Sequence, residues 1–193
     1  MPAEPALTDE PEAVLTTAEF RRAMAEFATG VTIVTALDGG EPVGFACQSF
    51  TSVSLEPPLV LFCADVRGRS WPRIRAARRF SVHVLAEEQR ELCERFGSHR
   101  GAKFDGLDWD ASSWGTPALR DVLLSVHAVV HDVHRAGDHD VVIGRVLAVE
   151  RHDDRDGGWR RPMVFFRSRF GVTEPDAPIA PDPWGVGDRW GWG

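Results

Sequence analysis

Tyrosine is missing from this chain of 193 residues, and lysine occurs once, at Lys103, among 22 basic side chains. Sparse lysine beside abundant arginine points to a GC-rich bacterial genome, which concerns origin rather than function. Cysteine is scarce: Cys47, Cys63 and Cys93 are three in number, with no C-x-x-C spacing. That excludes a readable disulfide framework, and free thiols in a reducing cytoplasm are expected. No apolar run approaches the ~18 residues of a membrane span. The opening MPAEPALTDEPEAVL lacks the basic start and apolar core of a signal peptide. A positive balance is also absent: the net charge of −7 argues against nonspecific binding to nucleic acid or to an anionic membrane. No GxGxxG follows a strand-like run and no GxxxxGK[ST] occurs, so neither a Rossmann nor a P-loop nucleotide site can be read.

What is present reads as one soluble, mainly β domain. The apolar fraction of 43% and charged fraction of 26% are ordinary for a globular chain of this length. Residues 1–15 are rich in Pro, Glu and Ala, and disorder is expected there. Thr16 and Glu19 form a capping box before a helix that places Phe20, Met24, Phe27 and Ala28 on one face and stops at Gly30. Val31–Ala36 reads as a strand, Asp38-Gly39-Gly40 as a hairpin turn and Val43–Ser54 as one long returning strand. Leu59–Ala64 is an apolar strand, and Ser70 is a candidate cap for a short helix with Pro72 in its first turn. Phe80–Leu85 reads as a strand and Glu87–Phe96 as a helix ended by Gly97. Ser98–Pro117 is a long polar loop. Two long strands, Val122–His134 and Asp140–Arg151, then flank a turn at Arg135–His139. A Gly157-Gly158 turn leads to a last strand, Met163–Arg167. The tail 173–193 is rich in Pro, Gly and Trp. Evenly spaced strands with hairpin turns and a few flanking helices predict an antiparallel, Greek-key-like β-barrel over residues 16–172.

The stretch Gly44–Pro58 carries the clearest functional signal. Ser49, Thr51, Ser52 and Ser54 fall within six residues, interleaved with Phe50 and Val53. A strand that only packed a core would alternate branched apolar and polar residues. Small side chains let backbone N–H and C=O groups approach a flat polar ligand, and hydroxyls can follow a polyol or phosphate. One wall of a cofactor site is the reading.

Four segments in this order resemble the flavin reductase family with the FMN-binding split-barrel fold: FATGVTIVT at 27–35, GFACQSFTSVSLEPPLVL at 44–61, AGDHDVVIGRV at 136–146 and PMVFFRSRFG at 162–171. The members most like it are the short-chain reductase components of two-component flavin monooxygenases. The resemblance implies a homodimer that binds FMN or FAD in a groove near the interface. It implies NADH or NADPH as hydride donor and a partner monooxygenase that receives reduced flavin. By the same resemblance, Ala46–Ser54 lines the flavin. The backbone around Ser52, Val53 and Ser54 faces the ring, while Cys47, Gln48 and Ser49 face the ribityl and phosphate side. Cys63, Ala64 and Ser70 continue the phosphate wall, and Lys103-Phe104 matches a K-F pair. His139 matches a residue near the nicotinamide, and Arg169 and Phe170 match a segment approaching the ring. Many members carry threonine where this chain has Ala46, and aspartate is usual where it has Glu56.

Hydride transfer between stacked rings needs little acid–base help, which agrees with the absence of a readable triad or metal set. His139 can instead simply finish its turn, Lys103 can be a solvated surface lysine, and Cys63 can be core. His127, His131 and His134 lack acidic or cysteine partners at ligand spacing, and strand alternation puts 127 and 131 on one face with 134 opposite. The alternative function is a split-barrel flavin protein that acts as sensor, carrier or prosthetic-flavin enzyme without turnover of free flavin.

Overall fold

The structure, a computed structural model, describes residues 15–98, 103–152 and 160–171. The expected disorder of residues 1–14, the Gly157-Gly158 turn and the reading of the tail lie outside the described residues. In chain order the elements are α1 (Thr17–Met24), β1 (Thr29–Gly30), β2 (Thr32–Asp38), β3 (Glu41–Cys47), β4 (Thr51–Leu55) and β5 (Pro58–Asp65). Then come α2 (Ser70–Ala77), β6 (Arg79–Val84), α3 (Arg90–Gly97), β7 (Trp109–Ala111) and β8 (Pro117–Leu119). The long pair β9 (Leu124–Ala136) and β10 (His139–Arg151) precedes β11 (Val164–Phe166) and β12 (Arg169–Phe170).

Seven strands form one antiparallel sheet in the order β3-β2-β6-β9-β10-β5-β4. The β2–β3 hairpin closes with Asp38 opposite Glu41, and Gly39 and Gly40 have φ of +60° and +89°. Both turn positions therefore need glycine, as in the tight hairpin that matches strand twist. The sheet curls until β3 meets β5, where Cys47 Sγ lies 4.0 Å from the carbonyl of Cys63. Six strands thus wrap the barrel, and β4 remains outside it as an edge strand paired to β5. Phe62 fills the centre, with its ring 5.2 Å from that of Phe80 and 5.9 Å from Trp71. Gly144 makes room for this packing, since a Cβ there would stand 2.4 Å from Phe80 Cζ.

The expected single strand Val43–Ser54 is instead two strands on opposite edges of the sheet. Gln48–Phe50 leaves the ladder of β3 and crosses the seam to start β4, a break imposed by barrel closure rather than by any turn residue. Residues 98–117 are not all loop, because β7 and β8 form a short ribbon. The third helix begins at Arg90, with Glu87–Gln89 in a turn where Gln89 N–H donates to Ala86. The capping box of Thr16 and Glu19 is present, but α1 ends at Met24 and buries none of its residues. Phe20, Met24 and Phe27 are 53%, 51% and 68% exposed.

A second apolar cluster lies outside the barrel, where Phe96, Phe104, Leu85, Ile33 and Met163 pack together. Beside it is a buried polar layer. Thr35, Ser81, His83, Ser125 and His127 are all buried on β2, β6 and β9. They bond to one another and to the segment Ser112–Leu119 that covers them. Thr35 Oγ1 donates to Pro117 O at 3.1 Å, and Ser81 Oγ bridges Thr116 Oγ1 and His127 Nδ1 at 2.5 and 2.7 Å. His83 Nε2 lies 3.0 Å from Pro117 O, and its Nδ1 lies 3.0 Å from Ser125 Oγ. A carbonyl only accepts, so Nε2 carries the proton and Nδ1 accepts from the serine. Burial pushes the pKa of His83 down to about 3 and also lowers that of His127. The three histidines of β9 are separated by a bulge: Gly144 pairs with Val130 and Ile143 with Asp132, skipping His131. His127 is 1% exposed while His131 faces solvent, so the shared face expected from alternation brings them no common surroundings.

Candidate functional site

The expected residues gather around the seam between β3 and β5 and the loop that follows β5. Ser49 is the stitch of the seam. Its Oγ accepts from the backbone N–H of Cys63 at 2.8 Å and lies 3.3 Å from Cys47 Sγ. Ser49 stands opposite Cys63 in the register that pairs Thr51 with Leu61, so its hydroxyl extends the β4–β5 pairing up to the seam. Cys47 is buried, and burial pushes its thiol up, with Ser49 partly opposing. Cys63 is half-buried on the outward side of β5, whereas Ala64 is buried in the barrel core.

Gly44 O is the second meeting point. Ser70 Oγ donates to it at 2.8 Å, and Lys103 Nζ donates to it at 3.2 Å. A Cβ at Gly44 would stand 2.8 Å from both Phe96 Cε1 and Val34 O, so only glycine lets α3 come this close. Lys103 Nζ also donates to Phe96 O at 2.7 Å, a carbonyl in the last turn of α3 that lacks an intrahelical partner. Ser70 is therefore not the cap of α2. The cap position is Arg69, whose side chain does not cap the helix, and the serine hydroxyl turns to Gly44.

Half-buried Lys103 has its pKa lowered by burial and by the nearby charge of Arg69. No carboxylate pairs with it among the described residues, and its two partners leave one N–H over. Two like charges held together beside the first turn of α2 suit an anion such as phosphate. The neighbouring Phe104 is 9% exposed and stacks edge-on against Phe96 at 5.0 Å and Trp109 at 5.7 Å. Its side chain is core, and its part in the site is to hold Lys103 in place.

β4 presents the open edge. Ser52 and Ser54 pair with Val60 and Leu59, and Val53 bulges between them. No strand pairs with the outer edge of β4 among the described residues, so its backbone groups there are free to meet a ligand. Ser52 and Val53 are exposed and Ser54 is half-buried. Gln48 is exposed at the crossing, and half-buried Ala46 packs against the cluster of Phe96 and Phe104. Phe170 joins the same cluster, 5.1 Å from Phe165 and beneath the guanidinium of Arg90 at 5.2 Å. Arg169 is exposed on β12, opposite Phe166.

His139 opens β10 directly opposite Asp65, the last residue of β5. Part of the expected set is thus linked: Ser49 bonds Cys63, His139 stands opposite Asp65 two residues on, and Ser70 and Lys103 meet at Gly44 O, while Phe170 lies with the second apolar cluster and Arg169 on β12. Sequence reading missed Asp65, Arg67 and Arg69, and took Gly44 only as the start of the serine-rich stretch and Asp138 only as part of a turn. Arg67-Gly68-Arg69-Ser70 leading into a helix is the signal that points to the cationic corner. Two open clefts of about 830 and 680 Å³ lie around Glu88, Arg120 and Asp121, and none of the expected residues lines either.

Comparison with known proteins agrees with the barrel fold. The family model described as flavin reductase like domain matches residues 24–174. The chain is 46% identical over 165 residues to the reductase subunit of a flavin-dependent monooxygenase from Rhodococcus jostii, covering 86% of this chain and 82% of that protein. It is similar to the crystal structure of nitrilotriacetate monooxygenase component B from Mycobacterium thermoresistibile, with TM-score 0.80 and 44% identity over 86% of this chain and 91% of that one. It is also similar to the NADH:FAD oxidoreductase of Streptomyces globisporus solved with NAD and FAD fragments, with TM-score 0.75 and 35% identity over 83% and 94% of the two chains. With the family model matching most of its length and both sequence and fold similar to flavin reductases, this chain belongs to the flavin reductase family.

Proposed function

We propose that the chain is an NAD(P)H:flavin oxidoreductase that reduces FMN or FAD and supplies the reduced flavin to a separate monooxygenase. The observations that carry this reading are the open, bulged strand edge at Ser52–Ser54 and the ammonium of Lys103, which no carboxylate pairs among the described residues. A flat polar ring with an anionic tail fits that pair of features. In this reading the backbone of Ser52, Val53 and Ser54 meets the ring. Gln48 and Ser49 flank the polyol, and Ser70, Lys103 and Arg69 hold the phosphate. Ala46, Cys47, Cys63, Ala64 and Phe104 form the supporting floor, and His139, Arg169 and Phe170 stand on the nucleotide side.

A bound flavin supplies the hydride-accepting ring, and the chain's own residues bind, orient and exclude water. Backbone N–H groups of the unpaired β4 edge would favour negative charge on a ring bound there. The relatives described above are a monooxygenase reductase subunit and an NADH:FAD oxidoreductase, which supports both the partner and the nucleotide.

The working form is a homodimer in this reading. The apolar face of Phe20, Met24 and Phe27 is exposed, and so are Val53 at 47% and Leu55 at 80% on the unpaired β4 edge. Exposed apolar surface of this kind calls for cover, which a second copy would supply. Three free cysteines support a reducing cytoplasm. No helix among the described residues is long and apolar enough to cross a membrane.

Anaerobic mixing of the protein with FMN or FAD and NADH or NADPH tests the reaction. Catalytic bleaching of flavin absorbance is expected, and no bleaching with any of the pairs would overturn it. For the dimer, sedimentation equilibrium of Phe20→Glu/Met24→Glu should give monomer where the parent chain gives dimer.

A further inference from the structure

The larger cleft, of about 830 Å³, lies apart from the proposed flavin residues, and its charges pair off unevenly. Among the described residues, three arginines and three carboxylates line it. Arg120 Nη2 donates to Asp110, and Arg160 Nε donates to Glu88 Oε1 at 2.8 Å. Arg151 and Asp121 are left over: both are exposed, and neither side chain has a partner among the described residues. The corner that presents Asp121 is nevertheless pinned. Gln89 Nε2 donates to Arg120 O at 3.1 Å, and Arg160 Nη2 donates to Asp121 O at 2.6 Å. Asp121 holds φ at +55°, a left-handed conformation that aspartate tolerates better than most side chains.

His152 also lines the cleft, and a chain of hydrogen bonds fixes its tautomer. His83 Nε2 carries its proton toward Pro117 O, so its Nδ1 accepts from Ser125 Oγ. A hydroxyl has one proton, and that of Ser125 is spent on His83. The same oxygen lies 3.0 Å from His152 Nε2, which must therefore donate to it. Neutral His152 thus keeps Nδ1 as a bare acceptor that points away from buried Ser125, and no partner meets it among the described residues.

One cation, one carboxylate and one bare ring nitrogen make a selective set. A simple anion satisfies Arg151 but meets Asp121 as a like charge. A simple amine satisfies Asp121 and Nδ1 but meets Arg151 as a like charge. A molecule that carries both charges fits, and the balance of three arginines against three carboxylates suits a ligand with no net charge. We propose that this cleft binds a small zwitterion of the α-amino acid class, with its carboxylate on the Arg151 guanidinium and its ammonium shared between the Asp121 carboxylate and His152 Nδ1. An ammonium has three donors and no acceptor, which suits two acceptors, and a guanidinium takes a carboxylate through paired N–H groups. The cleft volume is in the range of small-molecule sites, so a side chain has room beyond these groups.

The test titrates the full chain with glycine, acetate, methylammonium and inorganic phosphate in mildly alkaline solution. Nitrogen-15 NMR follows the His152 ring, assigned by the loss of its signals in His152→Gln. The free chain should show the Nε2–H tautomer. Glycine should shift Nδ1 saturably with a millimolar Kd, and acetate, methylammonium and phosphate should each bind about 10-fold more weakly or not at all. Arg151→Ala and Asp121→Asn should each raise the glycine Kd about 10-fold, the scale of one charge-assisted hydrogen bond. Asparagine keeps the left-handed backbone at 121 accessible, so that variant removes the charge alone. An Nδ1–H tautomer in the free chain, or no saturable shift with glycine, would overturn the proposal. So would acetate or phosphate binding as tightly as glycine, which would make the cleft an anion site, or a glycine Kd that neither variant changes.

Discussion

Thr35, Ser81 and Ser125 on the outer face of the barrel carry the same hydroxyl as Thr51, Ser52 and Ser54 beside its seam, in opposite states. The first three are at most 2% exposed, and each is hydrogen-bonded to a histidine, His83 or His127. Thr51 and Ser52 are exposed on a strand whose outer edge has no partner among the described residues. In the buried layer the hydroxyls choose one position for the segment Ser112–Leu119, because an unmade bond there leaves a polar group without water. On β4 the hydroxyls choose nothing within the chain, and the small side chains leave the backbone reachable. The difference teaches that hydroxyl content alone does not mark a ligand site; what marks it is hydroxyl content on an edge the fold leaves open.

The contrast breaks most sharply at His83. His83→Ala leaves Ser125 Oγ, Thr35 Oγ1 and Pro117 O short of a partner and opens a cavity in a layer with no exposure. Urea unfolding should show a loss of about 3–4 kcal/mol, while flavin affinity of the folded protein stays within a few-fold. A loss under about 1 kcal/mol would mean that the layer is tolerant rather than specifying.

Acid should act next most strongly, and through the same residue. Burial lowers the folded pKa of His83 from 6.5 to about 3, so the unfolded chain binds the extra proton between those values. Stability is complete above pH 6.5 and falls as pH drops toward 3. At about pH 4.5 the loss should be roughly 3 kcal/mol, two units at about 1.4 kcal/mol each. His127 adds in the same direction, since burial lowers its pKa too. Carboxylates with lowered pKa, such as Glu88 and Asp65, begin to contribute only near and below their ordinary values of 4.5 and 3.8. Thermal melts from pH 7 to pH 5 should therefore report the histidines, and the slope should shrink in His83→Ala. An unchanged slope would remove His83 as its source.

How much of this was legible in the sequence follows from how local each feature is. The Thr16–Glu19 capping box and the Gly39-Gly40 hairpin are written within four residues, and both are present. The long strands β9 and β10 and the barrel class followed from alternation and spacing. The break between β3 and β4 did not, because Gln48-Ser49-Phe50 contains no glycine or proline; the chain leaves the ladder there since the sheet must close on itself. The polar layer was invisible for a similar reason. Thr35, Ser81, His83 and Ser125 stand singly in strands far apart in sequence, and what buries them is a segment up to 82 residues away. Within the candidate site, Ser49, Cys63, Ser70, Lys103 and His139 were named, but their contacts were not. Lys103 and Ser70 converge on Gly44 O, a carbonyl that no side-chain pattern could announce.

Ser49 and Ser52 give the finest cut, because they are three residues apart and fall on the two sides of the contrast. Ser49 acts as part of the fold: its Oγ takes the Cys63 N–H at 2.8 Å where the β4–β5 ladder runs out at the seam. Ser49→Ala should therefore cost about 1–2 kcal/mol, the scale of a backbone donor losing its partner, and should weaken flavin binding as the seam loosens. Ser52 has no such duty: its side chain is exposed and its strand pairing with Val60 uses backbone alone. Ser52→Ala should leave stability within about 0.5 kcal/mol. Its flavin affinity should also hardly move, because the ring is met by the backbone of β4 and not by this hydroxyl. Urea unfolding and flavin titration of the two variants side by side decide the matter. If Ser52→Ala weakens flavin binding tenfold or more at unchanged stability, the hydroxyl itself is a ligand-contacting group, and the strand binds through its side chains.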